Sequence, residues 1–184
     1  MKRIAILTAN GLEEVEALTP ADILRRAGFC VDLISLDGTR TVTSSHHVTF
    51  TADRLIEDMD PDAYDAVILP GGMPGTLVLR DDKRVSQIIR TFAKDGRLVA
   101  AICAAPTVLG HNGLLKKKKA ACYPGMEDGL TGAEVITDQQ VVIDGNIITS
   151  RGLGTAIPFA LSIVEYFSDK KTADELAQKI VYTR

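Results

Sequence analysis

Apolar runs and amphipathic stretches alternate along this chain, and the alternation predicts its elements. Arg3-Ile4-Ala5-Ile6-Leu7 is a short apolar strand. Val15 to Ala27 follows at helical spacing, and Gly28 suits the left-handed position just past a helix end. Phe29 to Leu36 is a second strand. Val48-Thr49-Phe50-Thr51 predicts a short added strand, with Asp53 capping a helical turn after it. Ala66-Val67-Ile68-Leu69 is a third, near-continuous apolar strand that stops at Pro70-Gly71-Gly72. Asp82 to Lys94 has helical periodicity. Arg97 to Ile102 is a fourth core strand, running directly into a helix over Ala104 to Leu109. Val141 to Thr149 reads as a hairpin turning through Asp144-Gly145-Asn146. Two helices close the chain, Ala156 to Phe167 and Thr172 to Val181.

Strands apolar on both faces belong in a sheet covered by helices. Their alternation with helices predicts an α/β fold, a doubly wound and mostly parallel sheet with helices on both faces. No stretch of residues 1–184 reads as a linker, repeat or low-complexity segment, so a single domain is expected. A domain of this size buries roughly 70% of the surface its unfolded chain exposes. It needs no disulfide or metal to hold it together.

Composition and charge narrow the partners. A net charge of −3 argues against a nucleic-acid partner. The one basic run, Lys116 to Lys119, reads as a solvated loop before a strand. No segment approaches the ~18 continuous apolar residues of a membrane span. The short apolar run after the basic start reads as a first strand and not as a signal peptide. The cysteines are Cys30, Cys103 and Cys122. An odd count without a leader predicts a reducing, cytoplasmic compartment. There is no C-x-x-C pair, and the histidines are His46, His47 and His111. A closed zinc site is not expected.

Sites in open α/β sheets form beyond the carboxyl ends of the strands, and four segments arrive at that edge. In Ala100-Ala101-Ile102-Cys103-Ala104-Ala105-Pro106 a thiol stands at the joint of strand and helix. The geometry is that of a nucleophile elbow without its G-x-S-x-G letters. Amides and the dipole of a helix N-terminus there would favour thiolate; the plain alternative is a small buried core cysteine. In Gly11-Leu12-Glu13-Glu14-Val15-Glu16, Glu13 and Glu14 fit a helix N-terminus for dipole reasons alone, whereas Glu16 is less well explained. If Glu16 faces Cys103, the two cannot both ionise comfortably. A neutral Glu16 donating to a Cys103 thiolate is the expected state. In Leu69-Pro70-Gly71-Gly72-Met73-Pro74-Gly75, amides at Gly71 and Gly72 can line an oxyanion hole with that of Ala104. A tight turn without function fits those glycines as well. Thr149-Ser150-Arg151-Gly152-Leu153-Gly154-Thr155 places Arg151 and Thr155 near the same edge. It lacks the third glycine of a dinucleotide loop, since position 157 is Ile, which leaves nucleotide binding a remote reading.

Together these segments resemble the ThiJ/PfpI superfamily, in the branch that contains the human parkinsonism-associated protein. The shared motifs are G-L-E-E-V-E-A with a following T-P, R-R-A-G, L-P-G-G, A-A-I-C-A-A-P and T-S-R-G-L-G-T. They stand in the family's order and span nearly the whole chain. The resemblance implies a flavodoxin-like sandwich, a homodimer, and Cys103 as a reactive, oxidation-prone thiol. It implies a protonated Glu16 beside that thiol and oxyanion donors at Gly72 and Ala104. The implied activity is cofactor-independent processing of small α-oxoaldehydes such as methylglyoxal, or of their protein and nucleotide adducts, as in glyoxalase III or a deglycase. Its setting would be the response to oxidative or carbonyl stress. A redox sensor or chaperone using oxidation of Cys103 is the alternative, and a thiazole-pathway protein a remote one. Two departures from the family matter. Peptidase-like members place His directly after the nucleophile, where this chain has Ala104, so a peptidase is not expected. The branch's His before a Pro is here Tyr123, in Cys122-Tyr123-Pro124. A phenol is a poor general base at neutral pH. It can still donate, and with Arg151 it would orient substrate. His46 and His47 are left as imidazoles that could reach across a dimer, and as plain surface residues otherwise.

Overall fold

The computed structural model describes residues 1–183. Its main sheet has seven strands: β1 (Arg3–Thr8), β2 (Cys30–Ser35), β5 (Arg54–Leu55), β6 (Ala66–Leu69), β7 (Leu98–Ile102), β10 (Val141–Asp144) and β11 (Ile147–Ser150). Their order is β10-β11-β7-β6-β1-β2-β5. All neighbours pair parallel except β10 with β11, the predicted hairpin. Gly145 takes φ +63° in its turn, a conformation glycine adopts without penalty.

Alternate side chains of each strand feed two separate cores, as the two-residue period of a strand requires. Ile4 and Ile6 of β1 join one core with Ala100 and Ile102 of β7. Ala5 and Leu7 face the other, with Val99 and Ala101. The first core is covered by α1 (Glu14–Arg26), α5 (Ala156–Phe167) and α6 (Lys170–Lys179). The second lies under α2 (Gly75–Asp81), α3 (Lys83–Lys94) and α4 (Pro106–His111). Burial on both faces explains why β1, β6 and β7 read as unbroken apolar runs.

The structure departs from the sequence reading in two places. Asp53 caps no helix: it accepts from the Leu33 amide at 2.8 Å and from Arg25 at 2.7 Å, and the edge strand β5 follows it. The expected short strand is present as β4 (Thr49–Thr51), outside the main sheet and paired with β3 (Thr41–Thr43). The helix after β7 begins at Pro106 and not at Ala104, leaving three turn residues between strand and helix. The small elements that the sequence pattern does not reveal are the strands β3 and β5, the helix α2, and a two-strand pair of β8 (Lys119–Ala120) with β9 (Glu134–Val135). No helix among the described residues is long and apolar enough to cross a membrane.

Candidate active site

Chain direction reverses across the sheet between β1 and β6, and the crevice at such a switch point lies at their carboxyl ends. The segment after β1 carries Glu13 and Glu16, and that after β6 carries Gly71 and Gly72. The segment after β7 carries Cys103 and Ala104. All four predicted segments thus meet around one thiol, the fourth through the Ser150 carbonyl, which accepts from the Cys103 amide.

Cys103 holds φ +64°, a left-handed conformation that costs a non-glycine residue about 1–2 kcal/mol. The neighbouring chain enforces it. The Cys103 amide donates to the Ser150 carbonyl at 3.0 Å, and the Cys103 carbonyl accepts from the Tyr123 amide at 2.8 Å. The turn aims the thiol at the amides of Ala104 and Gly72, both of which donate toward sulfur.

Glu16 is 1% exposed, on the face of α1 that also buries Ala17, Pro20 and Ala21. Its Oε2 accepts from the Gly71 amide at 3.0 Å, and its carboxyl is hydrogen-bonded to the Cys103 thiol. Burial pushes the Glu16 carboxyl up to about 7; the charge of Glu13 adds to the rise, and the bonds from Cys103 and Gly71 oppose it. Burial also pushes the Cys103 thiol up, to about 12, with the Glu16 charge and hydrogen bond reinforcing it and the amides of Ala104 and Gly72 opposing it. Such values belong to the pair. The pair gives up one proton near neutrality and holds the second far above it. The rise at Glu16 matches expectation; the rise at Cys103 does not, because the expected charge lay on sulfur. The helix meant to lower the thiol starts three residues further on, at a proline without an N–H, and is only six residues long. Two turn amides remain, and they do not offset burial.

The glycines are steric necessities. A Cβ on Gly71 would lie 2.7 Å from Cys103 Cβ and 2.7 Å from Glu16 Oε2. One on Gly72, at φ +88°, would lie 2.2 Å from the Glu13 amide nitrogen. Gly72→Ala is therefore expected to destabilise by more than about 2 kcal/mol and to slow alkylation of Cys103. Gly28→Ala carries a similar φ of +84° but meets nothing within 4 Å, and should cost only about 1 kcal/mol. Urea midpoints of the two variants separate clash from strain. Equal midpoints would show that the Glu13–Gly72 contact is slack.

The remaining predicted residues lie further out. Tyr123 is 51% exposed, and its ring covers Gly152, 3.5 Å from where a Cβ would stand. Arg151 turns its guanidinium to the Thr137 carbonyl, and its backbone amide is held by Thr155 Oγ1 at 3.3 Å. His46 Nδ1 lies 3.3 Å from Glu14 Oε2 and 3.5 Å from Glu13 Oε2, which ties it to the acids beside the site. His47 is an exposed turn residue at φ +63°. Gly152 was not singled out from sequence; its small size keeps the space above Glu16 open, and the Gly-x-Gly spacing was the only sign of it.

The matching family model covers residues 2–166 and is described as the DJ-1/PfpI family. The chain belongs to that family. A Drosophila melanogaster relative, protein dj-1beta, is 39% identical over 181 residues, 98% of this chain and 97% of its own. A Caenorhabditis elegans relative, named a glutathione-independent glyoxalase, is 32% identical over 178 residues, 96% of this chain and 94% of its own. The solved structure of oxidized Toxoplasma gondii DJ-1 superposes with a TM-score of 0.95 at 35% identity, covering 100% of both chains.

Proposed function

We propose that this protein converts α-oxoaldehydes such as methylglyoxal to 2-hydroxy acids through Cys103, without a cofactor. The observation that carries the reading is the meeting of the half-buried Cys103 thiol with the buried Glu16 carboxyl, with the amides of Gly72 and Ala104 facing the sulfur. The family and the glyoxalase name of one relative support it.

The chemistry balances without an oxidant. Moving the thiol proton across the hydrogen bond to Glu16 makes the nucleophile with no net change in charge. Sulfur adds to the aldehyde carbon, and the carbonyl π electrons become an alkoxide facing the amides of Gly72 and Ala104. Protonation gives a hemithioacetal. Glu16 then takes the proton from C1 and returns one to C2 while the C1 hydroxyl proton passes to the C2 oxygen, which turns the hemithioacetal into a 2-hydroxyacyl thioester. Water cleaves the thioester and frees lactate and the thiol. Tyr123, whose ring covers Gly152, would orient the substrate. Arg151 was also expected to do so, but its bond to Thr137 favours a role in holding the 137–140 loop. The reading keeps a homodimer, with His46 and His47 on the β3–β4 turn beside an exposed Val48.

Incubation of the purified protein with methylglyoxal should yield lactate catalytically, and Cys103→Ala should abolish it. Trapping of the aldehyde by lysine or arginine makes no lactate. No lactate from either protein would favour a redox sensor, in which the same amides and a protonated Glu16 hold a Cys103 sulfinate. The oxidized state of the Toxoplasma relative supports that second reading.

A further inference from the structure

Cys103 keeps its left-handed backbone because both of its peptide groups are gripped. Its amide donates to the Ser150 carbonyl at 3.0 Å, and its carbonyl accepts from the Tyr123 amide at 2.8 Å. The first grip belongs to β11 itself, which pairs parallel with β7 from Ile147 opposite Val99 to Ser150 opposite Ile102. The second comes from the 121–123 segment, which has left β8 at Ala120 and belongs to no strand. A backbone segment outside the ladders needs other partners for its buried polar groups. Here the Ala121 amide donates to Thr149 Oγ1 at 2.9 Å. The Tyr123 carbonyl accepts from the Met126 amide at 3.1 Å, a local turn that ties the segment only to itself.

Thr149 is 0% exposed. It shares a face of β11 with Ile147, which packs in the second core with Ala101, Ala120 and Cys122. Valine has the same shape, and a buried hydroxyl costs free energy unless it is bonded. Apolar packing therefore gives no reason for threonine here, and the bond to the Ala121 amide does. The nearby hydroxyls are turned elsewhere: Ser150 Oγ donates to the Gln140 carbonyl at 2.8 Å and lies 2.7 Å from Thr155 Oγ1. Two consecutive residues of β11 thus reach the two sides of Cys103, Ser150 directly and Thr149 through Ala121 to Tyr123. The left-handed turn is what brings sulfur against Glu16 and the amides of Ala104 and Gly72. A cysteine whose carbonyl is released would leave that region, which only glycine visits freely, and would swing the thiol off Glu16.

We infer that Thr149 is a positioning residue for Cys103: its buried hydroxyl holds the 121–123 segment where the Tyr123 amide locks the cysteine in its left-handed turn, with sulfur against Glu16. The inference rests on Cys103 as the reactive thiol of the chemistry proposed above, and alkylation tests it without that chemistry.

Thr149→Val and Thr149→Ser are to be compared with Thr8→Val. Thr8 is an equally buried threonine at the end of β1, and its hydroxyl donates to the Ile34 carbonyl at 2.9 Å, on the side of β1 away from β7. The rate of Cys103 alkylation by iodoacetamide is followed against pH by mass spectrometry of the Cys103 peptide. In the native protein the rate should rise through about 7, with Glu16. In Thr149→Val the rise should move toward the ordinary thiol range near about 8.5, which lowers the rate at neutral pH on the order of tenfold. Thr149→Ser keeps the hydroxyl and should restore the native profile, and Thr8→Val should retain it. A native profile in Thr149→Val overturns the inference, because the hydroxyl would then only satisfy the Ala121 amide. So does an equal shift in Thr8→Val, which would mean that general loosening moves the thiol. Amide hydrogen exchange in the native protein tests the same brace without a variant. The Ala121 and Tyr123 amides should open together, with similar protection. A Tyr123 amide that exchanges freely while Ala121 stays protected also overturns the inference. Lactate formation from methylglyoxal should fall in Thr149→Val through kcat, with KM little changed. A shifted alkylation profile with no lactate from the native protein would sink the enzymatic reading and leave the role of Thr149 standing.

Discussion

Glu16→Gln is expected to lower lactate formation from methylglyoxal by about 10²–10⁴-fold while Cys103 remains open to alkylation. The amide can fill the same space, but it cannot carry a proton from one carbon to the next. The pH profile of alkylation sharpens the test. In the native protein, reactivity toward iodoacetamide should rise as pH increases through about 7, where burial places the first proton loss of the Cys103–Glu16 pair. Above that pH a carboxylate stands ready to take the thiol proton. In Glu16→Gln the thiol must ionise alone, against the burial that is the main cause of its raised pKa. The rise should then move past the ordinary thiol range near about 8.5. Turnover retained in Glu16→Gln would remove the shuttle from the mechanism. An unmoved alkylation profile would show that the thiolate forms without Glu16.

How much of this arrangement could be read in the sequence follows from the range over which each feature is determined. Strands β1, β6 and β7 were legible because burial on both faces demands continuous apolar residues. Helix α2 was not, because it begins inside Pro74-Gly75, residues that ordinarily mark a turn. Glycine stands there for a reason outside its own segment: a Cβ on Gly75 would lie 2.6 Å from the Leu12 amide nitrogen. Asp53 looked like a helix cap for the converse reason. Its partners, Arg25 and Leu33, are distant in sequence, and a local rule cannot weigh them. At the site, the convergence of Cys103, Glu16 and the glycine turn followed from sheet-edge logic and from the family resemblance. The ionisation of the thiol did not. It depends on where a helix starts to within two or three residues, which is the least determined feature of a sequence pattern. The role of Gly152, the tie of His46 to Glu13, and the turn of Arg151 toward Thr137 are likewise long-range packing outcomes.

Glu16→Gln should also make the protein more stable at pH 8, and by an amount that depends on pH. In the folded chain the Glu16 carboxyl sits at about 7, against an ordinary value of 4.5. Between those values the folded state keeps a proton that the unfolded state has released. Its contribution is therefore fully present below about 4.5 and is lost as pH rises through about 7. The loss is on the order of 3 kcal/mol once Glu16 is ionised, since it is only 1% exposed and little screened by solvent. Glutamine carries no such charge, so the stability difference between variant and native protein should open between pH 5 and pH 8 and close below pH 4.5. Carboxylates with depressed values, such as Asp32 and Asp82, act in the opposite sense and lose their contribution as pH falls. They are common to both proteins and cancel in the difference. Paired urea titrations at pH 5, 6.5 and 8 measure it. A difference that stays flat with pH would mean that Glu16 does not ionise in this range, and the shared proton on which the proposed chemistry depends would lose its basis. A difference that opens as expected would show that the protein keeps a destabilising acid in its interior, a choice that packing alone does not explain and that a proton-transferring role beside Cys103 does.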